Sequence, residues 1–272
     1  MVLTTDSYKS GLSQKESFLI SSLAREKKDI FTLDDARKFI PHDTKKTVNS
    51  LVKKKWVLDL KRGLYALVPL DVGPEGADSF VVHNFLIAPY LVRPYYIGFW
   101  SALNYHGLTE QIPRDTFVAT TRSKRPVKVL TWSYVFVEMR EHKFFGYESY
   151  EIEGKKVFIS SPEKTIVDCL DSPEHTGGIE EVAKAIFFNI KNLDVKKLLD
   201  YAGRMRNMAI IKRLGFILEK TGLLSDYENY FSNLTLTKGY PPLDPLAPKR
   251  GKHNSKWGLL VNVDLDAERW FY

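Results

Sequence analysis

The chain has a single cysteine, Cys169, among 272 residues. One thiol excludes an internal disulfide framework and fits a reducing compartment. No apolar run approaches the roughly 20 residues that span a bilayer, and the stretch MVLTTDSYKSGLSQKE is too polar for a signal-peptide core. These absences predict a cytoplasmic protein with no membrane partner. The six histidines, His42, His83, His106, His142, His175 and His253, are dispersed, and none pairs with another or with Cys169 at metal-ligand spacing. Glycine-rich phosphate loops of the dinucleotide or P-loop type are also missing. On this pattern a non-enzymatic protein is expected, with no catalytic set, cofactor or metal.

Acids are missing from one place in particular. TKKTVNSLVKKKW, residues 44–56, holds five lysines and no Asp or Glu. The charge of the whole chain is skewed the same way. Residues 1–70 carry 14 Lys and Arg against 8 Asp and Glu, while the rest carry 26 against 25, so nearly all of the net +7 sits in the first quarter. A solubility charge is spread along a chain, whereas a polyanion-binding module concentrates it.

Three helix starts precede or include that stretch. Ser13-Gln14-Lys15-Glu16 is a capping-box pattern leading into Phe18, Leu19 and Leu23, and Thr32-Leu33-Asp34-Asp35 repeats it before Ala36, Phe39 and Ile40. Pro41 stops the second helix. Asp43 is positioned to cap a third over 44–55. On that helix Val48, Leu51 and Val52 share one side, and Lys46, Asn49, Ser50 and Lys53 share the other within about 100°. Trp56–Leu60 and Leu64–Val68 then read as strands, joined by a Lys61-Arg62-Gly63 turn. Helix, helix, helix and a hairpin with a basic tip is the order of a winged helix-turn-helix, in which the third helix enters the major groove of DNA. The candidate DNA-binding set is Lys45, Lys46, Asn49, Ser50, Lys53, Lys54, Lys61 and Arg62. Against it stands the plainer reading of a solvated lysine face on a protein-docking module.

PLDVGPEGADSF, residues 69–80, reads as a linker, giving a first domain over 1–70, a linker over 71–80 and a second domain over 81–272. FVVHNFLIAPYLV and FWSALNYH read as helices. Strands are expected at Thr116–Thr121, Val127–Met139, Tyr147–Ile152 and Lys156–Ser160. From Ser161-Pro162-Glu163 onward, helices dominate, until a proline-rich basic loop, 240–257, delivers a final strand, GLLVNVDLD. The fold class is therefore α+β, an N-terminal winged helix-turn-helix followed by a larger mixed α/β domain with a helical C-terminal half.

Other constellations carry less. Cys169 shares an apolar row with Ile166 and Leu170, the pattern of a buried structural thiol. Asp264 and Asp266, two apart on the final strand, would share a face and suit Mg²⁺ in a nucleotide- or RNA-acting enzyme, or simply sit on an exposed strand end. Glu163 and Asp171 read as capping and surface charges. Arg122, Lys124 and Arg125 with Lys249, Arg250 and Lys252 are either solvated loops or a second basic surface.

The order of motifs resembles the AbiEi family, the antitoxin and regulator component of abortive-infection toxin–antitoxin systems. The resembling segments are RGLYAL, YYIGFWSALNYHGLTEQIPRDTFVATTRSKR, ISSPEKTIVDCLDSPEHTGGIEEVAKAI, RMRNMAIIKRLGFILE and YPPLDPLAPKRGKHNSKWGLLVNVD. The SPEKTIVDCLD…GGI and PLDP…W…VNVD arrangements are its specific part. The resemblance implies an N-terminal domain that binds inverted repeats in its own promoter, as an oligomer or as paired monomers. It also implies a C-terminal domain that counteracts a nucleotidyltransferase-like toxin without a lasting complex. It supplies no catalytic residues. Its DNA-contact role falls on Lys45, Lys46, Asn49, Lys53 and Arg62. A stand-alone regulator with no toxin is the variant of this reading.

Overall fold

Ser13 Oγ accepts the Glu16 amide at 3.4 Å, and the Glu16 carboxylate accepts the Ser13 amide at 2.7 Å. This reciprocal cap starts α1 (Gln14–Arg25). The computed structural model describes residues 9–73, 76–232 and 234–271. Residues 1–8 of the expected first domain, and 74–75 of the expected linker, lie outside them. The chain divides into two units, residues 1–91 with 128–132, and residues 92–127 with 133–272.

In the first unit, β1 (Ile30–Thr32) follows α1. A second reciprocal cap, Thr32 with Asp35, opens α2 (Leu33–Phe39), which ends before Pro41. Then come α3 (Thr44–Lys53), β2 (Val57–Lys61) and β3 (Leu64–Leu67). The strands form an antiparallel sheet in the order β1-β3-β2. Leu19, Leu23, Phe31, Ala36, Val48, Leu51, Val57 and Tyr65 make its core, with the Phe31 and Tyr65 rings stacked 5.6 Å apart.

Four details differ from the sequence reading. The strand β1 was not expected, because three residues between two helices carry no period of their own. Asp43 takes the cap position of α3 in a left-handed conformation but makes no side-chain cap, and its carboxylate instead meets Lys15 Nζ at 3.2 Å. The expected linker folds back in short helical turns at Leu70–Val72 and Gly76–Asp78, tied by Lys9 Nζ to the Pro69 carbonyl (2.9 Å) and by a Lys55–Asp78 ion pair. Gly76 has φ +60°, and a Cβ there would lie 2.5 Å from the Lys55 carbonyl oxygen. Helix α4 (Asn84–Leu91) also belongs to this unit, its Tyr90 hydroxyl donating to the Ile30 carbonyl at 2.9 Å. The division therefore falls at Leu91 rather than at residue 80.

A mixed sheet runs in the order β6-β7-β5-β4-β9-β8. Its strands are β4 (Tyr96–Ile97), β5 (Asp115–Thr120), β6 (Val127–Val129), β7 (Trp132–Glu138), β8 (Tyr147–Ile152) and β9 (Lys155–Ser160), and all of them but Lys128–Trp132 belong to the second unit. The expected single strand over 127–139 is two, broken where Leu130 turns to φ +53°. Pairing is parallel for β4 with β9 and for β5 with β7, and antiparallel for β4 with β5 and for β8 with β9. Helices α5 (Phe99–Tyr105), α6 (Pro162–Asp171), α7 (Ile179–Asn189), α8 (Val195–Arg204) and α9 (Met208–Lys220) supply most of the core, with a short α10 (Glu228–Phe231). Mixed α+β architecture holds for the chain as a whole.

The expected last strand is shorter than GLLVNVDLD. It is β11 (Leu259–Val261), paired antiparallel with β10 (Lys252–Asn254), which the proline-rich loop concealed. The backbone leaves strand geometry at Asn262, whose side chain is half-buried. It exchanges bonds with Asp244, whose amide donates to Asn262 Oδ1 (3.0 Å) and whose carbonyl accepts from Asn262 Nδ2 (2.7 Å).

Candidate nucleic-acid interface

Helix α3 has two faces of different chemistry. Thr44, Thr47, Val48 and Leu51 are buried, the last two completely. Thr44 Oγ1 donates to the Ile40 carbonyl (2.5 Å) and Thr47 Oγ1 to the Asp43 carbonyl (3.1 Å), so the buried hydroxyls are satisfied locally. Lys45, Lys46, Asn49 and Lys53 are exposed. Together with Ser50 they border one open patch of surface. Lys46 and Lys53 lie three residues before and four after Asn49, one turn to either side, about 10 Å apart along the axis. No ion pair holds Lys45, Lys46 or Lys53 among the described residues.

The other residues of the candidate set are placed differently. Ser50 is half-buried and donates to Glu16 Oε1 at 2.6 Å, and Lys54 Nζ donates to Glu16 Oε2 at 2.7 Å. Burial works against the Glu16 charge, but the bonds from Lys54, Ser50 and Ser13 outweigh it and hold the carboxyl at about 2. Lys61 and Arg62 sit at the tip of the β2–β3 hairpin, where Gly63 takes φ +83° and Lys61 pairs with Leu64. Arg62 is exposed, as is Asp59 on β2. Sequence reasoning saw Glu16 only as a helix cap. Its second role depends on residues 34 and 38 positions away, which no local pattern reveals.

The second basic group is split between elements. Arg122, Lys124 and Arg125 occupy the β5–β6 connection, where Lys124 Nζ stands 5.4 Å from the Phe136 ring centre. Lys249 and Arg250 precede β10, and Lys252 lies in it. Asp264 and Asp266 do not share a strand face, since β11 ends at Val261. Asp266 instead accepts the Glu268 amide (3.2 Å) and pairs with Arg269 (2.9 Å). Among the described residues there is no group of three His, Cys, Asp or Glu side chains placed to hold a metal ion. Cys169 is fully buried, and burial pushes its thiol well up.

The motif residues of the second unit are scaffold. Ser161 caps α6 by accepting the Lys164 amide (3.3 Å). Lys164 and Asp168, one turn apart on α6 and wholly buried, form an ion pair, and the Tyr96 hydroxyl donates to Asp168 at 3.0 Å. Burial pushes Lys164 down and Asp168 up, with each charge opposing the shift of the other. Glu163 and Asp171 are not surface charges, for Glu163 meets Lys197 at 2.9 Å and Asp171 meets Lys143 at 2.6 Å, each carboxylate largely covered. Asp244, from the PLDP segment, accepts the Ile179 amide at the start of α7 (3.1 Å) beside Gly178, where a Cβ would sit 2.9 Å from its carboxylate.

No known family model matches the sequence, and no curated protein matches it. Among solved structures, the RV2827C protein from Mycobacterium tuberculosis is similar in fold. The likeness has a TM-score of 0.66 at 13% identity and covers 95% of this chain and 94% of that one. No helix among the described residues is long and apolar enough to cross a membrane.

Proposed function

We propose that the protein is a double-stranded-DNA-binding transcriptional repressor that also serves as the antitoxin of a toxin–antitoxin operon, of the AbiEi kind, acting in the cytoplasm. The observation that carries the DNA-binding part is the outward row of α3, in which Lys46, Asn49 and Lys53 stand in line on an exposed face with no acid on the helix. The order α1-β1-α2-α3-β2-β3 with its three-stranded sheet favours reading the first unit as a winged helix-turn-helix. A helix about 10–12 Å across with its side chains suits a major groove about 12 Å wide. Lysines there neutralise phosphates as point charges, and the Asn49 amide is the group able to read an adenine edge bidentately. Arg62 at the hairpin tip reaches the flanking backbone.

The antitoxin part rests on the resemblance of the SPEKTIVDCLD…GGI and PLDP…W…VNVD segments. Binding inverted repeats calls for two copies of the module on one operator, and the toxin counteracted is nucleotidyltransferase-like. Mutational binding curves test the interface. Lys46→Ala is expected to weaken binding on every duplex alike, and Asn49→Ala to lower the preference for the operator over a mutated operator by about 1–3 kcal/mol. Equal losses on both duplexes for Asn49→Ala would refute its reading role. Co-expression of the full chain with the product of the neighbouring gene tests the antitoxin part, through relief of growth arrest.

A further inference from the structure

Apolar packing through Val48 and Leu51 holds α3 against the unit, and directional bonds sharpen the angle at which it sits. Glu16 supplies such bonds. Its side chain is 5% exposed, and its two oxygens collect three donors, Ser50 Oγ on one and Lys54 Nζ and the Ser13 amide on the other. Ser50 and Lys54 are one turn apart on the flank of α3 between its buried and exposed faces. Two bonds from successive turns to one carboxylate, itself anchored at the start of α1, fix both the roll and the axial register of α3. We infer that Glu16 is a positioning residue for sequence readout, setting the angle at which Asn49 presents its amide while Lys45, Lys46 and Lys53 are left for phosphates. The inference rests on the DNA-binding reading of α3.

It also separates two quantities that a purely stabilising contact would not. Glu16→Gln keeps an acceptor but loses the anion that ties down Lys54. Discrimination between the chain's own upstream duplex and a scrambled one is expected to fall about tenfold. The salt slope should be kept, or steepen by about one as Lys54 is released to phosphate. Ser50→Ala, which leaves the Lys54 pair in place, is expected to lower discrimination with no change in slope. Without DNA, hydrogen exchange at the α3 amides should quicken about fivefold or more in Glu16→Gln while the β2 and β3 amides keep their protection. Unchanged discrimination in both variants, or unchanged α3 exchange, overturns the inference. A wild-type chain that binds both duplexes alike overturns the DNA-binding reading instead, and the exchange data still decide whether Glu16 holds α3.

Discussion

The hydroxyl of Ser50 donates to the carboxylate of Glu16 at 2.6 Å, across 34 positions of sequence. That bond joins α1 to α3, on which Lys45, Lys46 and Lys53 have no ion pair among the described residues. It makes the outward face of α3 narrower, and better fixed, than a helical wheel suggests. Within TKKTVNSLVKKKW, Lys54 is held by Glu16 and Lys55 by Asp78, so the surface row reduces to Lys45, Lys46 and Lys53 around Asn49.

This division predicts unequal lysines. Lys46→Ala and Lys53→Ala are each expected to lower the slope of log affinity against log salt by about one. Lys54→Ala is expected to leave the slope unchanged and to destabilise the first unit instead. Anisotropy titrations at four salt concentrations, with thermal melts of the same variants, check both halves.

Acid should weaken the first unit through its two capping carboxylates. Glu16 and Asp35 are both held at about 2, against ordinary values of 4.5 and 3.8. For Asp35, burial opposes the bonds from Lys28 and Thr32, which win. A depressed folded value means stability that is complete above the ordinary value and lost as pH falls toward the folded one. The loss is therefore expected between about pH 4.5 and 2. It is on the order of 2 kcal/mol for Glu16 once nearby solvent is discounted. Denaturant midpoints of the wild type and Glu16→Gln measured across that range should converge at the acid end.

In the second unit, Lys164 and Asp168 are wholly buried together. Lys164→Met or Asp168→Leu alone strands the partner's charge away from water. Each is expected to cost about 3–5 kcal/mol, whereas the double replacement Lys164→Met with Asp168→Leu should recover most of that loss. A thermodynamic cycle of the four proteins measures it.

Gly215 on α9 is another tight point. A Cβ there would lie 2.0 Å from the Trp257 ring, whose Nε1 donates to Glu219 at 2.5 Å on the same helix. Gly215→Ala is expected to destabilise by about 1–3 kcal/mol despite the better helix propensity of alanine. Tryptophan fluorescence during denaturation reports both the loss and the displaced indole.

Much of this was legible in the sequence. Ser13 with Glu16, Thr32 with Asp35, and Ser161 with Pro162 announce helix starts because caps are local chemistry, and the apolar period of α3 gives its buried side. The strand β1 and the β10–β11 pair were not legible, since strands of three residues are defined by partners distant in sequence. Asp264 and Asp266 read as a strand pair in the sequence, but the strand ends at Val261, before Asn262 bonds to Asp244. For the candidate interface, spacing alone selected Lys46, Asn49, Ser50 and Lys53. Only the fold showed that Ser50 and Lys54 face Glu16.

The most direct measurement is fluorescence anisotropy of the full chain on its own upstream DNA and on a scrambled duplex of equal length, across a salt series. The account predicts binding at least a hundredfold tighter to the upstream duplex, on the order of the discrimination specific DNA readers reach. It also predicts a slope that reports several neutralised phosphates. Weak binding, equal on both duplexes at every salt concentration, would contradict it and leave the lysine row an ordinary solvated face.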